Sequence, residues 1–310
     1  MHLTASLRTV GGLALGCIAV SCLLWATGPA TRAPRAAPTG LTGIVGPATV
    51  SSDAVARRNW LRPGTAWQWQ LDGRAIDESV LDGVSNPQKM YDVDMETTGA
   101  DVIARLRAKG IHVVCYLETG GWESYRSDAA QFPAAVLGNR VGGYPNERYL
   151  DIRRQDVLLP LMGARFDRAA AKGCNGIEPD LDDTYTVTTG FPLTMVDQLS
   201  YNRAVAQLAH DRGLSIGLKN GASADGSFER AMESFTDWAL NESCNRFAEC
   251  GGYAVYVQHG KPVFQVEYID EGMSVAQFCP ADNAAGFDGL LKQSSSSLSA
   301  RPRTACRPGS

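Results

Sequence analysis

Gly176-Ile177-Glu178-Pro179-Asp180-Leu181-Asp182-Asp183 begins as a short apolar strand and ends in a run of acids. The same plan recurs on both sides of it. Trp67-Gln68-Trp69-Gln70, Met90-Tyr91-Asp92-Val93-Asp94 and His112-Val113-Val114-Cys115-Tyr116-Leu117-Glu118 come before. Ser215-Ile216-Gly217-Leu218-Lys219-Asn220, Trp238-Ala239-Leu240-Asn241-Glu242, Val263-Phe264-Gln265-Val266-Glu267-Tyr268 and Gly286-Phe287-Asp288-Gly289-Leu290-Leu291-Lys292 come after. Helical stretches separate several of these runs, and apolar strands alternating with helices make a parallel sheet. Eight strands predict a closed (β/α)8 TIM barrel, an α/β fold whose active site lies at the carboxyl ends of the strands. Most of the acids fall there.

The helices are clearest where apolar side chains recur at helical spacing and a glycine follows. Residues 98–109 carry Val102, Ile103 and Leu106 before Gly110, and 156–172 carry Leu158, Leu161, Met162 and Phe166 before Gly173. Residues 194–212 carry Met195, Leu199, Ala206 and Leu208 before Gly213. Shorter helices are expected at 227–235 and 273–278. The connection 72–89 holds Gly73, Gly83, Asn86 and Pro87 with no amphipathic stretch, so the first βα unit should be irregular. The third, 119–156, is long enough to carry an inserted active-site loop before its helix.

Residues 1–33 read as a signal peptide: Arg8, then an uncharged run from Val10 to Trp25, then small residues suited to cleavage. That apolar run is shorter than the roughly 20 residues that span a bilayer, so no stable membrane insertion is expected after cleavage. Residues 34–58, rich in Pro, Ala, Thr, Gly and Ser, read as a linker. Residues 59–310 are the size of one barrel domain, expected as a monomer and secreted.

The net charge is −4. Losing Arg8 and Arg32 with the leader makes the mature chain more acidic. It has no basic patch to neutralise phosphates, which argues against nucleic acid as a partner. Six of the eight cysteines lie beyond the leader, and an even number in an exported chain implies disulfides. Cys244 and Cys250 bracket a short loop after the sixth strand, and Cys279 and Cys306 are placed to staple the tail to the last helix. Cys115 and Cys174 read as a third neighbouring pair, bonded or packed as thiols. No CxxC or paired-histidine spacing supports zinc.

Glycoside hydrolysis needs two carboxyl groups flanking the scissile bond. Asp180 at the end of the fourth strand and Glu242 at the end of the sixth are the candidates, with Glu178 and Asp182 expected on the same strand face as Asp180. Lys219 ends the strand between them and is expected to pair with Asp180. Asp94 and Glu267 extend the acidic rim. Trp69, Tyr116 and Tyr268 are the aromatics expected to point inward, where flat rings bury sugar faces. Any one of these acids is explained as readily as a helix cap or a solvated rim group; the whole set on one rim is not. Asp180, Asp182 and Asp183 would be the ligands if a cation were bound, but no metal or other cofactor is expected. None of the four histidines falls on the rim, and no GxSxG, HExxH or P-loop is present.

Taken in order, Trp67-Gln68-Trp69-Gln70-Leu71, Tyr91-Asp92-Val93-Asp94, Cys115-Tyr116, Gly121-Trp122-Glu123 with Arg126, Gly176-Ile177-Glu178-Pro179-Asp180, Gly217-Leu218-Lys219-Asn220 and Asn241-Glu242 with Cys244 resemble glycoside hydrolase family 114. The resemblance spans nearly all of the mature chain. It implies a secreted endo-α-1,4-polygalactosaminidase on a TIM barrel, with the two catalytic acids on Asp180 and Glu242. The implied substrate is a galactosamine polysaccharide, cationic or partly acetylated. Glu118 departs from the pattern, since a small or neutral residue is expected there. By analogy with retaining α-galactosidase barrels, Asp180 would be the nucleophile and Glu242 the acid/base. The competing readings are a glycosidase for another α-linked hexosaminide or galactoside, and a non-catalytic carbohydrate-binding barrel.

Overall fold

A computed structural model describes residues 61–307; the expected leader, 1–33, and linker, 34–58, lie outside the described residues. The chain runs through β1 (Ala66–Gln70), β2 (Lys89–Asp94), α1 (Ala100–Ala108) and β3 (Ile111–Glu118). An insertion follows, comprising β4 (Gly121–Glu123), β5 (Leu137–Val141) and β6 (Tyr144–Leu150). Then come α2 (Gln155–Lys172), β7 (Gly176–Asp180), α3 (Met195–His210), β8 (Ser215–Lys219), α4 (Ser227–Met232) and β9 (Trp238–Glu242). The last elements are α5 (Cys244–Phe247), α6 (Ala254–Gln258), β10 (Val263–Tyr268), α7 (Val275–Ala285), β11 (Asp288–Lys292) and β12 (Thr304–Ala305).

The strands β1, β2, β3, β7, β8, β9, β10 and β11 pair in that order, all parallel, as the wall of a (β/α)8 barrel. Side-chain alternation sorts the two faces. Trp67, Trp69, Met90, Val114, Trp238, Leu240, Phe264, Val266, Tyr268 and Leu290 fill the interior. The opposite parity, including Val93, Val113, Cys115, Ile177 and Ile216, packs outward against Leu106, Phe166, Tyr201 and Val205 of the helices.

The eightfold pattern departs from regularity at three places. No helix occurs between β1 and β2 among the described residues, as the glycines and proline there predict. The expected loop after β3 is in fact a three-stranded antiparallel sheet in the order β4-β6-β5. Elsewhere, the expected helix at 273–278 runs on to Ala285 with Pro280 inside it.

The third departure is the seam. In the described ladders β1 pairs with β2 alone, and β12 runs antiparallel to β11 at the other edge. The C-terminal segment fills the gap: Leu71 N–H donates to Leu298 O at 2.8 Å and Gln68 Nε2 to Ala300 O at 2.6 Å. Arg303 Nε donates to Trp67 O at 2.9 Å, while Cys306 N–H reaches Gly289 O across β11, also at 2.9 Å. Inside the seam Trp67 Nε1 bonds Asp288 O at 2.8 Å and Lys292 Nζ bonds Gln68 Oε1 at 3.1 Å.

Three disulfides tie the outer layer: Cys115–Cys174, Cys244–Cys250 and Cys279–Cys306. Cys174 lies in the turn before β7 rather than on the strand. The outward parity of Cys115 brings it within 6.0 Å, Cα to Cα.

Candidate active site

Three adjacent strands end on the three residues at the centre of the site: β7 on Asp180, β8 on Lys219 and β9 on Glu242. In each case the next residue takes a left-handed backbone, Leu181 at φ 57°, Asn220 at 48° and Ser243 at 59°. None is a glycine, so each conformation costs on the order of 1 kcal/mol. Local hydrogen bonds offset that cost and fix the acids. Leu181 N–H donates to Asp180 Oδ1 at 2.9 Å. Asn220 Oδ1 accepts from Glu242 N–H at 2.9 Å, and its Nδ2 donates to Glu242 Oε2 at 3.2 Å.

Lys219 is 3 % exposed, and its ammonium meets three carboxylates: Glu178 Oε1 at 3.0 Å, Asp180 Oδ1 at 3.2 Å and Glu242 Oε2 at 3.3 Å. The Asp180 and Glu242 oxygens are therefore no more than about 6.5 Å apart. Trp69 supplies the floor. Its ring centroid lies 4.8 Å from Lys219 Nζ, and its indole N–H donates to Glu178 Oε2 at 2.9 Å. Tyr116 donates to Asp180 Oδ2 at 3.0 Å, and Tyr268 donates to Glu242 Oε1 at 2.5 Å. Burial would raise Asp180, but the Lys219 ammonium, the Leu181 N–H and the Tyr116 hydroxyl together hold it below its ordinary value. Burial works against the Lys219 charge, yet Asp180, Glu178 and Glu242 keep its pKa well above the ordinary lysine value. Asp180 is thus a carboxylate and Lys219 an ammonium at neutral pH.

These groups open into a cavity of about 500 Å³. Asp94, Tyr116, Glu118, Asp180, Lys219 and Glu242 line it, with Trp69 at its base. Glu178 lies beneath Lys219 rather than on the surface of the cavity.

Two further expected positions are corrected. Asp182 does not continue the Glu178–Asp180 face. The left-handed Leu181 breaks the alternation, and Asp182 turns back under β8, where its Oδ2 accepts from Lys219 N–H at 3.0 Å. Glu267 has the outward parity on β10, one residue before the inward Tyr268, and accepts from Asn245 N–H at the start of α5 at 2.9 Å. Neither lines the cavity.

The inserted sheet supplies what the rim pattern missed. Arg126 is a second cation in the cavity beside Lys219, holding Asp94 at 2.7 Å and Glu123 at 2.6 Å. Glu118, Glu123 and Glu147 bring carboxylate oxygens within 4.8 Å of one another. Burial first, then repulsion from Glu123 and Glu147, pushes Glu118 well above its ordinary value. Residues Gly121 to Arg126 stood out in the sequence, but their place above the barrel follows from β4 pairing with β6, a contact that no local pattern encodes.

A parallel barrel with acids gathered around one ammonium at the carboxyl end of its strands has the architecture of a glycosidase. The chain belongs to glycoside-hydrolase family GH114, whose profile matches residues 50–307. It is a glycoside hydrolase acting on carbohydrate. It is similar to Ega3 of Aspergillus fumigatus, solved in complex with galactosamine: 32% identity, 76% of this chain and 93% of that one covered, TM-score 0.67. The glycoside hydrolase domain of PelA from Pseudomonas aeruginosa shares the fold at 13% identity, covering 74% of this chain and 94% of that one, TM-score 0.56. An uncharacterized protein of Deinococcus radiodurans is 25% identical over 278 residues, which are 82% of this chain and 88% of the relative.

Proposed function

We propose that the protein is a secreted, monomeric endo-glycosidase that hydrolyses α-1,4-linked galactosamine polysaccharide with Asp180 and Glu242. The observation that carries this reading is the one ammonium, Lys219, lying 3.2 Å from Asp180 and 3.3 Å from Glu242 at the base of a single cavity. A separation of about 5–5.5 Å suits a retaining reaction, and the bound of about 6.5 Å on the two oxygens is compatible with it.

In the first step an Asp180 oxygen attacks the anomeric carbon while the bond to the leaving sugar breaks. The bonding electrons go to the glycosidic oxygen, which takes the proton that Glu242 carries when substrate is bound, leaving Glu242 as the carboxylate that Lys219 and Tyr268 stabilise. In the second step Glu242 takes a proton from water as the water oxygen attacks the same carbon, and the bond to Asp180 breaks. Both carboxyl groups are then restored. Oδ2 of Asp180 is the better placed attacking atom, since Oδ1 accepts from both Leu181 and Lys219 whereas Oδ2 accepts from Tyr116 alone.

The cavity favours an amino sugar. Asp72, Asp94, Glu123, Glu147, Asp180 and Glu242 line it against the cations Arg126 and Lys219, so a sugar ammonium is attracted. The galactosamine bound to Ega3 supports the same choice. Secretion is supported by the three disulfides. No helix among the described residues is long and apolar enough to cross a membrane.

The test is a hydrolysis screen on deacetylated and fully acetylated galactosamine polymers, with product sizes read by mass spectrometry. Oligomeric products from the deacetylated polymer, formed more slowly in added salt, are expected. Equal cleavage of both polymers with no salt dependence would overturn the substrate assignment.

A further inference from the structure

Below the cavity lies a carboxyl group that the reaction as written does not use. Asp92 is on β2, 0 % exposed, with the inward parity it shares with Met90 and Asp94. In the strand ladders it stands opposite Trp69 of β1 and Val114 of β3. No side-chain N–H or O–H of the described residues donates to either of its oxygens, and the one backbone N–H that acts on them is that of the next residue, Val93. Its hydrogen-bonding partner is another acid, Glu178, itself 0 % exposed.

An ionised carboxylate sealed from solvent with no side-chain donor, beside a second carboxylate, costs several kcal/mol. A proton held between the two removes both penalties. Glu178 is the member that needs the charge, because its Oε2 accepts from Trp69 and its Oε1 pairs with Lys219. Asp92 has no cation of its own at ion-pair distance among the described residues. The proton therefore belongs on Asp92.

We infer that Asp92 is a positioning residue: as a neutral carboxylic acid it donates its hydrogen to Glu178, and through Glu178 it fixes Lys219 between Asp180 and Glu242. The inference rests on reading Asp180 and Glu242 as the reacting pair. The charged groups that act on Asp92 are Glu178 of β7 and Lys219 of β8. Burial first and the charge of Glu178 second raise Asp92 well above the usual carboxylate range. Burial raises Glu178 to about 7, with Lys219 and the hydrogen from Asp92 pulling it back down.

Two variants separate positioning from mere filling. Asp92→Asn keeps an N–H to donate, whereas Asp92→Val keeps the volume and loses the donor. With a galactosamine polymer as substrate, Asp92→Asn should stay within about threefold of wild-type kcat, while Asp92→Val should fall by about tenfold or more with KM little changed. Glu178 without its donor binds a proton more readily, so the acid limb of the kcat profile should move to higher pH in Asp92→Val alone. An infrared difference spectrum of wild type minus Asp92→Asn at neutral pH should contain a protonated-carboxyl band. That readout needs no turnover, so it stands even if the polymer proves to be the wrong substrate. Carboxylate bands in its place, wild-type kcat and pH profile in Asp92→Val, or an equal loss in both variants would overturn the inference.

Discussion

Tyr268 donates its hydroxyl hydrogen to Glu242 Oε1 across 2.5 Å, from a ring that is itself only 1 % exposed. Burial and the Glu242 charge hold that phenol well above its ordinary pKa, so it remains a donor across the working pH range. Tyr268→Phe keeps the packing and removes one of the two side-chain hydrogen bonds to Glu242. A hydrogen bond to a charged group contributes about 1.5–3 kcal/mol, so kcat should fall by about tenfold or more with KM nearly unchanged. Steady-state kinetics of the purified variant check this.

Asp180→Asn should abolish turnover while leaving substrate binding intact, because the amide keeps the shape of the carboxylate and cannot attack. A loss of about 10³-fold or more in kcat is expected, with affinity for a galactosamine oligomer, read by calorimetry, within severalfold of wild type. Retained turnover would remove Asp180 from the reaction.

Away from the site, Asp282 on α7 is 1 % exposed; Oδ1 accepts from Asn245 Nδ2 at 2.7 Å, and Oδ2 has no hydrogen-bond partner among the described residues. Burial, with Glu267 nearby, pushes its pKa up to about 7. The unfolded chain ionises this group near pH 4. The folded state thus holds a proton that the unfolded state has lost, and stability falls as pH rises from about 4 to about 7. Asp282→Asn should remove that loss. Denaturant melts should show the variant more stable than wild type by on the order of 1 kcal/mol at pH 8 and equal to it at pH 4.

The disulfides should differ in worth. Cys115–Cys174 closes 59 residues and Cys244–Cys250 closes 6. Loop-closure entropy alone makes the first worth about 4 kcal/mol and the second about 2. Urea titration of the two double-alanine variants should give that order, and the reverse order would show that strain or residual structure outweighs chain entropy.

The barrel was legible because parity along a strand is strict. Trp69, Tyr116, Lys219 and Tyr268 point inward by the same period that buries Phe264 and Val266. Asp92 was equally legible in its parity, since it keeps step with Asp94, but nothing local marks it as sealed inside the barrel rather than placed on the rim. Asp182 escaped because the period ends at Leu181, whose left-handed backbone no propensity of leucine announces. Glu123, Arg126 and Glu147 reach the cavity through an antiparallel sheet assembled from segments some twenty residues apart, and such pairing is written in tertiary contacts rather than in local pattern.

The seam sets the order in which this enzyme is completed. A chain made amino end first can lay down β1 to β11 in sequence, yet the gap between the first and last of them is filled only by residues 298–306. Until that segment emerges, the wall is a trough, with the row of N–H and C=O groups along β11 open to water or to another strand. The same stretch then lies against β1, whose Trp69 is the floor beneath Lys219. A premature stop after Leu298 would therefore leave every acid in the cavity present and the barrel wall without its last stave.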